Sequence, residues 1–198
     1  MRNLHLIFVL VVSLLPFATA QAAPADLPET GQTTCYDAAG AVIPSCRELE
    51  SLTSTGQDGD FKAGVAWPSR RFTVGTGARA ACVTDNLTGL MWVRSPSSVN
   101  DTWVNALTAA DNLTLCGFSD WRLPNLNELE SLVNSEAANQ ATFLNDQGFT
   151  GVQADYYWSS SSYAGNTADA WFVDMFGSNV RAISKTHSYH VWPVRAGQ

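Results

Sequence analysis

The chain has 198 residues, 45% of them hydrophobic and only 15% charged, with 18 acidic side chains against 11 basic ones and a formal net charge of −7. That balance argues against nucleic acid and anionic membrane as general partners, because both demand a basic surface. The length allows one main domain with a real core, plus a short extension.

Residues 1–22, MRNLHLIFVLVVSLLPFATAQA, carry one positive charge at Arg2, an apolar run from Leu4 to Leu15 and small residues at the end. This is the pattern of a secretory signal peptide, and the run is shorter than the ~20 residues a membrane span needs. Two frames satisfy the small-x-small rule, one ending at Ala20 and one at Ala22. Removing Arg2 leaves 10 basic residues against 18 acids, a net charge of −8. The expected location is secreted or periplasmic, with no membrane span after cleavage. Four cysteines remain, Cys35, Cys46, Cys82 and Cys116, and an even count in an exported chain reads as two disulfides. Of the three possible pairings, the nearest partners favour Cys35–Cys46 and Cys82–Cys116, each contributing about 3 kcal/mol. No two cysteines have the short CxxC spacing of zinc ligands, so no metal is expected.

Residues 23–66 are rich in Gly, Thr, Ala, Ser and Pro without sustained periodicity, and read as an extended arm with a Cys35–Cys46 loop. Within it, TGQDGDFKAG reads as turns; Asp58 and Asp60 are spaced loosely like a calcium loop but lack the distal Glu. Residues 67–198 form the expected domain. RFTVGTGARAACVTDNLTGLMWVR mixes β-branched and aromatic residues with Gly-containing turns, which predicts two or three short strands. Trp103, Ala106, Leu107 and Ala110 fall at helical spacing, predicting a helix from about Thr102 to Leu113. A second helix is predicted after Pro124, with Leu126, Leu129, Leu132 and Val133 on one side. Beyond Ser135, polar loops lead to YYWSSSSY, AWFVDM, VRAIS and HVWPVR, whose rough alternation predicts the strands of a largely antiparallel sheet. Two helices packed on such a sheet make an α+β domain.

Several stretches are specific: VTDNLTGLMW (83–92), CGFSDWRLPNLNELESL (116–132), YYWSSSSY (156–163), AWFVDM with a following Gly (170–177) and VRAG (194–197). Their combination and order resemble the Lcl C-terminal domain family, named for the Legionella collagen-like adhesin, over about residues 67–198. ETGQTTCYDAAGAVIPSC resembles the leader segment of exported bacterial members, which also supports pairing Cys35 with Cys46. The resemblance implies a C-type-lectin-like fold, and WRLPNLNELE is similar to a segment of formylglycine-generating enzymes. Fold alone carries no function.

The chemistry is therefore weighed residue by residue. No Cys follows Cys116, against the reactive cysteines of the formylglycine type. No EPN, QPD or WND marks a lectin-type calcium site. His187 and His190 lack a GxSxG elbow or a third metal ligand nearby. No catalytic residue and no cofactor is expected. A binding surface is. The late strands and loops are rich in Tyr, Trp, Ser, Asn and His, which give rigid contact area and adaptable hydrogen bonds. The candidates are Tyr157, Tyr163, Asn166, Trp171, Asn179, Arg181, Lys185, His187, Tyr189 and His190, while Trp158, Trp171 and Trp192 at alternating positions also read as core. From Phe176 to Gln198 the chain has Arg181, Lys185 and Arg195 and no acid, a local patch for a polyanionic or neutral glycan. The expected ligand is a glycan or a cell-surface protein. The alternatives are a display module of the diversity-generating-retroelement type, with variable positions in this late segment, and a structural envelope protein without a soluble ligand. No Gly-x-y repeat occurs, so the trimer-forming stalk of the collagen-like adhesin has no counterpart in this sequence.

DWRLP (120–124) crowds an acid, an aromatic, a base and a proline together. Pro124 suits a helix start just beyond it, with Asn125 as cap and Glu128 completing a capping box. Trp121 and Leu123 are expected to face one side, and Asp120 and Arg122 to tie loops together on the other.

Overall fold

Both expected disulfides are formed, Cys35–Cys46 and Cys82–Cys116, with Cα separations of 5.3 and 6.5 Å. The computed structural model describes residues 27–43, Cys46 and 56–197, so the expected signal peptide lies outside the described residues. In the arm, β1 (Cys35–Tyr36) pairs antiparallel with β2 (Val42–Ile43) around a turn in which Asp37 Oδ1 accepts from the Ala39 and Ala41 N–H groups. GQDGD contributes one turn of helix, α1 (Asp58–Phe61), and Asp58 accepts a hydrogen bond from the Thr30 hydroxyl. That bond occupies one of the two aspartates considered for calcium.

The described arm is fastened to the rest of the chain. The Thr33 and Thr34 N–H groups donate to Glu136 Oε2 at 2.7 and 3.1 Å, and Trp67 Nε1 donates to the Glu29 carbonyl at 2.7 Å. The Thr34 hydroxyl, with the Thr33 N–H, holds the Glu136 carboxyl below its ordinary value.

The domain opens with β3 (Phe72–Val74), a 3-10 turn (Gly77–Arg79), β4 (Cys82–Asp85) and β5 (Leu90–Val93), as the Gly-punctuated pattern predicts. Next come β6 (Asp101–Thr102) and the predicted helix α2 (Trp103–Asp111), which buries Ala106 and Ala110. After Pro124, α3 (Leu126–Glu130) carries the expected capping box: Asn125 Oδ1 accepts from the Glu128 N–H while the Glu128 carboxylate accepts from the Asn125 N–H. It ends after five residues, and Leu132 and Val133 follow in a turn. The remaining elements are α4 (Gln140–Asp146), β7 (Tyr156–Ser162), β8 (Asp169–Asp174), β9 (Val180–Ser184), β10 (Ser188–Tyr189) and β11 (Val194–Ala196).

Two expectations need correction. The stretch beyond Ser135, read as polar loops, contains α4, capped by Asn139, whose side chain accepts from the Thr142 N–H. Its buried apolar side chains are only Ala141 and Leu144, with the half-buried Phe143 beside them, too short a run for periodicity to reveal. The strands also do not form one sheet. Among the described residues, β11-β5-β4-β3 and β7-β8-β9 are separate antiparallel sheets, and β10-β6 and β1-β2 are short ladders. The fold is mixed α+β and mostly antiparallel, with few helices, and none of the described helices is long and apolar enough to cross a membrane.

Aromatic packing joins the two sheets. Trp92, Trp121, Trp158, Trp192 and Tyr157 are at most 1% exposed, and the Trp192 ring meets Trp92, Phe149 and Tyr157 at 5.8, 5.2 and 5.3 Å. Cys116 and Gly117 form a two-residue turn, φ 57° and 83°, between Leu115 and Phe118, which exchange backbone hydrogen bonds. Left-handed backbone at both positions is the geometry of a type I′ turn, and for a non-glycine residue it costs about 1–2 kcal/mol. The disulfide to Cys82 holds Cys116 there.

Three ion pairs anchor the framework. Arg71, 4% exposed, reaches both carboxylate oxygens of the fully buried Asp85 at 3.2 and 3.1 Å and donates to the Ser131 carbonyl after α3. Within DWRLP, Trp121 and Leu123 are buried. Asp120 takes two hydrogen bonds, 2.7 and 3.0 Å, from Arg195, while Arg122 binds Glu128 at 2.7 and 2.6 Å. Arg122 and Val194 exchange backbone bonds at 2.9 Å. The stretch is a joint, as the spacing predicts.

Asp85→Ala, which strands a buried guanidinium, is expected to cost about 3–5 kcal/mol in chemical denaturation; a loss within experimental error contradicts this account. Asp120→Ala should lower the melting temperature at neutral pH. The Arg195 hydrogen bond lowers the Asp120 pKa, so its contribution is present above the ordinary carboxylate value and lost as pH falls through the lowered one. The gap between wild type and variant should therefore close in acid, and a gap independent of pH counts against the pair.

Candidate functional site

The late strands put side chains on two faces, because neighbours along a strand alternate and cross-strand partners share a face. Trp158 pairs with Phe172 and Phe172 with Arg181, so these three, with Tyr156 two residues back, line one face. Tyr157 pairs with Val173, and Val173 with Val180, on the other, which packs into the main core.

The first face is partly covered. α2 packs on its Ala170 and Trp158 end. The chain after β9 then crosses over it, from Lys185, whose N–H bonds Ala168, to His190, whose backbone bonds Tyr156 and Trp158. This crossing lays Tyr189 against Trp158, Tyr156 and Phe172 at 4.8, 5.1 and 5.1 Å, and Tyr156 meets Phe172 at 5.0 Å. Tyr156 remains 39% exposed. His187, exposed, has its ring 6.2 Å from Tyr189, and Arg181, exposed, lies opposite Phe172 with no ion-pair partner among the described residues. Burial, then the neighbouring Tyr156 and Asp155, raises the Tyr189 pKa, so its hydroxyl stays a neutral donor and acceptor at physiological pH. The result is an aromatic ledge with a free cation and an imidazole beside it.

The sequence candidates thus part company. Arg181, His187 and Tyr189 come together, and Tyr156, which the sequence reading passed over, joins them. Tyr157 and His190 do not. Tyr157 is fully buried, its hydroxyl accepting from the Gln153 N–H at 2.8 Å, and burial pushes its pKa up to about 12. His190, 5% exposed, stacks on Tyr157 at 5.0 Å and places Nδ1 2.8 Å from the Ser97 carbonyl and Nε2 3.5 Å from Asp155. Both are corrections: these two side chains face inward and hold the strand crossing together.

Tyr163 and Asn166 occupy the β7–β8 connection, where Tyr163 meets the half-buried Trp171 edge-on at 5.2 Å and Asn166 Nδ2 donates to Asp169. Asn179 lies at the opposite end of the sheet, in the β8–β9 turn, its carbonyl accepting from the Asp174 N–H. Lys185 is occupied: Nζ donates to Ser162 at 2.7 Å and to the Thr167 carbonyl at 2.9 Å, and stands 4.1 Å from the Trp103 ring centroid. Arg195 leaves the expected basic patch altogether, 3% exposed beneath Asp120. Trp158 and Trp192 are core, as the alternation predicts. The serines of YYWSSSSY are also structural. Ser159, fully buried, donates to the Trp171 carbonyl, and Ser161 Oγ accepts from the Leu126 N–H, fixing α3 to β7 across a register shift.

Two surface clefts lie away from the ledge. One of about 350 Å³ runs between α2 and Arg122, and one of about 520 Å³ lies beside Arg94 and Thr150. Among the described residues no three His, Cys, Asp or Glu side chains cluster as metal ligands do.

Residues 81–195 match the family described as the Lcl C-terminal domain. No curated protein matches the chain.

The two late histidines should separate in a stability assay. His190→Ala is expected to cost about 2–4 kcal/mol by leaving the Ser97 carbonyl and the Tyr157 face without their partner, whereas His187→Ala should stay within about 0.5 kcal/mol. Equal losses in thermal or urea unfolding would reverse the assignment of core and surface.

Proposed function

The chain belongs to the Lcl C-terminal domain family, and from that premise we propose that it is a non-enzymatic recognition domain working outside the cytoplasm. Two disulfides among the described residues and the absence there of any membrane-crossing helix are compatible with a secreted or periplasmic protein. In this reading residues 67–198 are the recognition domain, with a C-type-lectin-like fold, and residues 23–66 are the arm that docks on it.

The observation that carries the reading is the ledge of Tyr156 and Tyr189, seated on the buried Phe172 and flanked by Arg181 and His187. Aromatic faces offer rigid apolar area, and the tyrosine hydroxyls, guanidinium and imidazole add directional hydrogen bonds beside it. A sugar ring, apolar on its C–H face and polar at its rim, matches that combination, so the ligand class is a glycan. The nucleophilic and titratable groups support a role without chemistry: the cysteines, all earlier in the chain, are paired, and in the late segment His190 is held by Ser97 and Asp155 while Ser159 and Ser161 bond their own scaffold.

A glycan array probed with the purified protein tests this. Binding should fall about tenfold in Tyr156→Ala and less in His187→Ala, with melting temperatures unchanged. An array without signal, or full binding by the Tyr156 variant, ends the ledge reading.

A further inference from the structure

Among the described residues, the sheet β7-β8-β9 has one closed edge and one open one. On the β7 side, the backbone of His190 bonds Tyr156 and Trp158, and the Ser160 N–H donates to the Pro124 carbonyl. On the β9 side the pattern can be read residue by residue, because the N–H and C=O of one strand residue point to the same side. The Asp174 N–H donates to the Asn179 carbonyl and the Lys185 N–H to the Ala168 carbonyl. Alternation from these two ends turns the backbone of Arg181 and Ile183 toward β8, and that of Val180, Ala182 and Ser184 outward. Among the described residues, the outward N–H groups of all three, and the carbonyls of Val180 and Ala182, have no protein partner; the Ser184 carbonyl accepts from the His187 N–H. Among the described residues β9, with five residues, is longer than β3, the edge strand of the other sheet, which has three and buries Phe72.

We propose that the outer edge of β9 takes up an extended, acidic polypeptide segment of another protein as an added strand. The charge pattern selects the occupant. In a chain of net charge −7, the stretch from Phe176 to Gln198 holds no acid, and Arg181 stands on the edge strand exposed and without an ion-pair partner among the described residues. A glutamate on the incoming strand beside Arg181 gains a cross-strand charge pair, while the open N–H and C=O groups supply the main-chain bonds of strand addition. A second copy of this chain fits worse. Two β9 edges paired antiparallel bring two Arg181 and two Lys185 side chains into one strip with no carboxylate between them. A charge on an edge strand also serves to repel unwanted pairing, and that role predicts no acidic partner. The proposal concerns the strand edge and goes beyond the ledge reading, which it neither needs nor supports.

The test uses a short peptide alternating glutamate with valine, and a control alternating lysine with valine, with amide hydrogen exchange of the whole protein as readout. The acidic peptide should slow exchange at Val180, Ala182 and Ser184 and leave Arg181 and Ile183 as they are. Ala182→Pro removes an outward N–H that β8 does not use, so the edge strand tolerates it, and it should weaken peptide binding about tenfold without changing glycan-array signals. If that variant misfolds, Arg181→Glu serves instead and should reverse the preference between the two peptides. Unchanged exchange with the acidic peptide, equal protection by the basic one, or protection of β9 that depends on protein concentration alone each overturns the proposal.

Discussion

The buried pair between Arg71 and Asp85 is the contact on which most of the framework converges. Its guanidinium lies 4.3 Å from the Trp67 ring centroid and 4.7 Å from that of Phe72, and it also donates to the Ser131 carbonyl after α3. Asp85 in turn organises the β4–β5 turn, accepting from the Leu87 N–H and the Thr88 hydroxyl. One ion pair therefore fixes where the arm ends, how β3 meets β4 and where α3 stops. Charges taken out of water need this full set of partners to avoid a net penalty. The turn that Asp85 organises continues to Gly89, at φ 72°, and a Cβ on Gly197 would stand 1.6 Å from the Gly89 carbonyl. The glycine of the terminal VRAG is thus required by a turn more than a hundred residues earlier in the chain.

The same closure explains why the aromatic ledge is where it is. Hydrogen bonds between Arg122 and Val194 and the Asp120–Arg195 pair tie the chain end to the DWRLP joint, and Trp192 Nε1 on the Val93 carbonyl at 2.8 Å ties it to the first sheet. To arrive there from β9, the segment from Lys185 to His190 has to cross the second sheet. That crossing creates the ledge. Lys185 on Trp103 and Ser162 pins its start and His190 on Ser97 and Tyr157 pins its end, so Tyr189 is held between two anchors. Residues chosen as ligand contacts for their chemistry are, at these two positions, what positions the contact.

Local rules were legible in the chain wherever they act over a few residues. The capping box at Asn125 and Glu128, the α2 spacing and the two disulfide pairings follow from composition and short separations, and the DWRLP joint follows from a proline and a parity. α4 escaped because a seven-residue helix with two buried apolar side chains has too little periodicity to stand above its polar neighbours. The site was half legible. Aromatic and polar residues in YYWSSSSY and KTHSYH marked the segments that build the ledge, but which tyrosine of the pair faces out depends on register, and a one-residue change exchanges the two faces. Tyr157 was the expected contact; Tyr156 is the exposed one.

By itself, then, the sequence determined the class of molecule: an acidic, disulfide-bonded α+β chain with its motifs in family order and its Tyr-, Ser-, Asn- and His-rich segments late. Those properties reside in residue type and near-neighbour spacing. Only the tertiary structure decided which of those residues meet solvent. Burial of Tyr157, His190 and Arg195, exposure of Tyr156 and Arg181, and the open edge of β9 all depend on sheet pairing and on a crossing segment whose ends are fixed by contacts distant in sequence. Such contacts leave no periodic trace in the chain, because each is a single meeting of two otherwise ordinary residues.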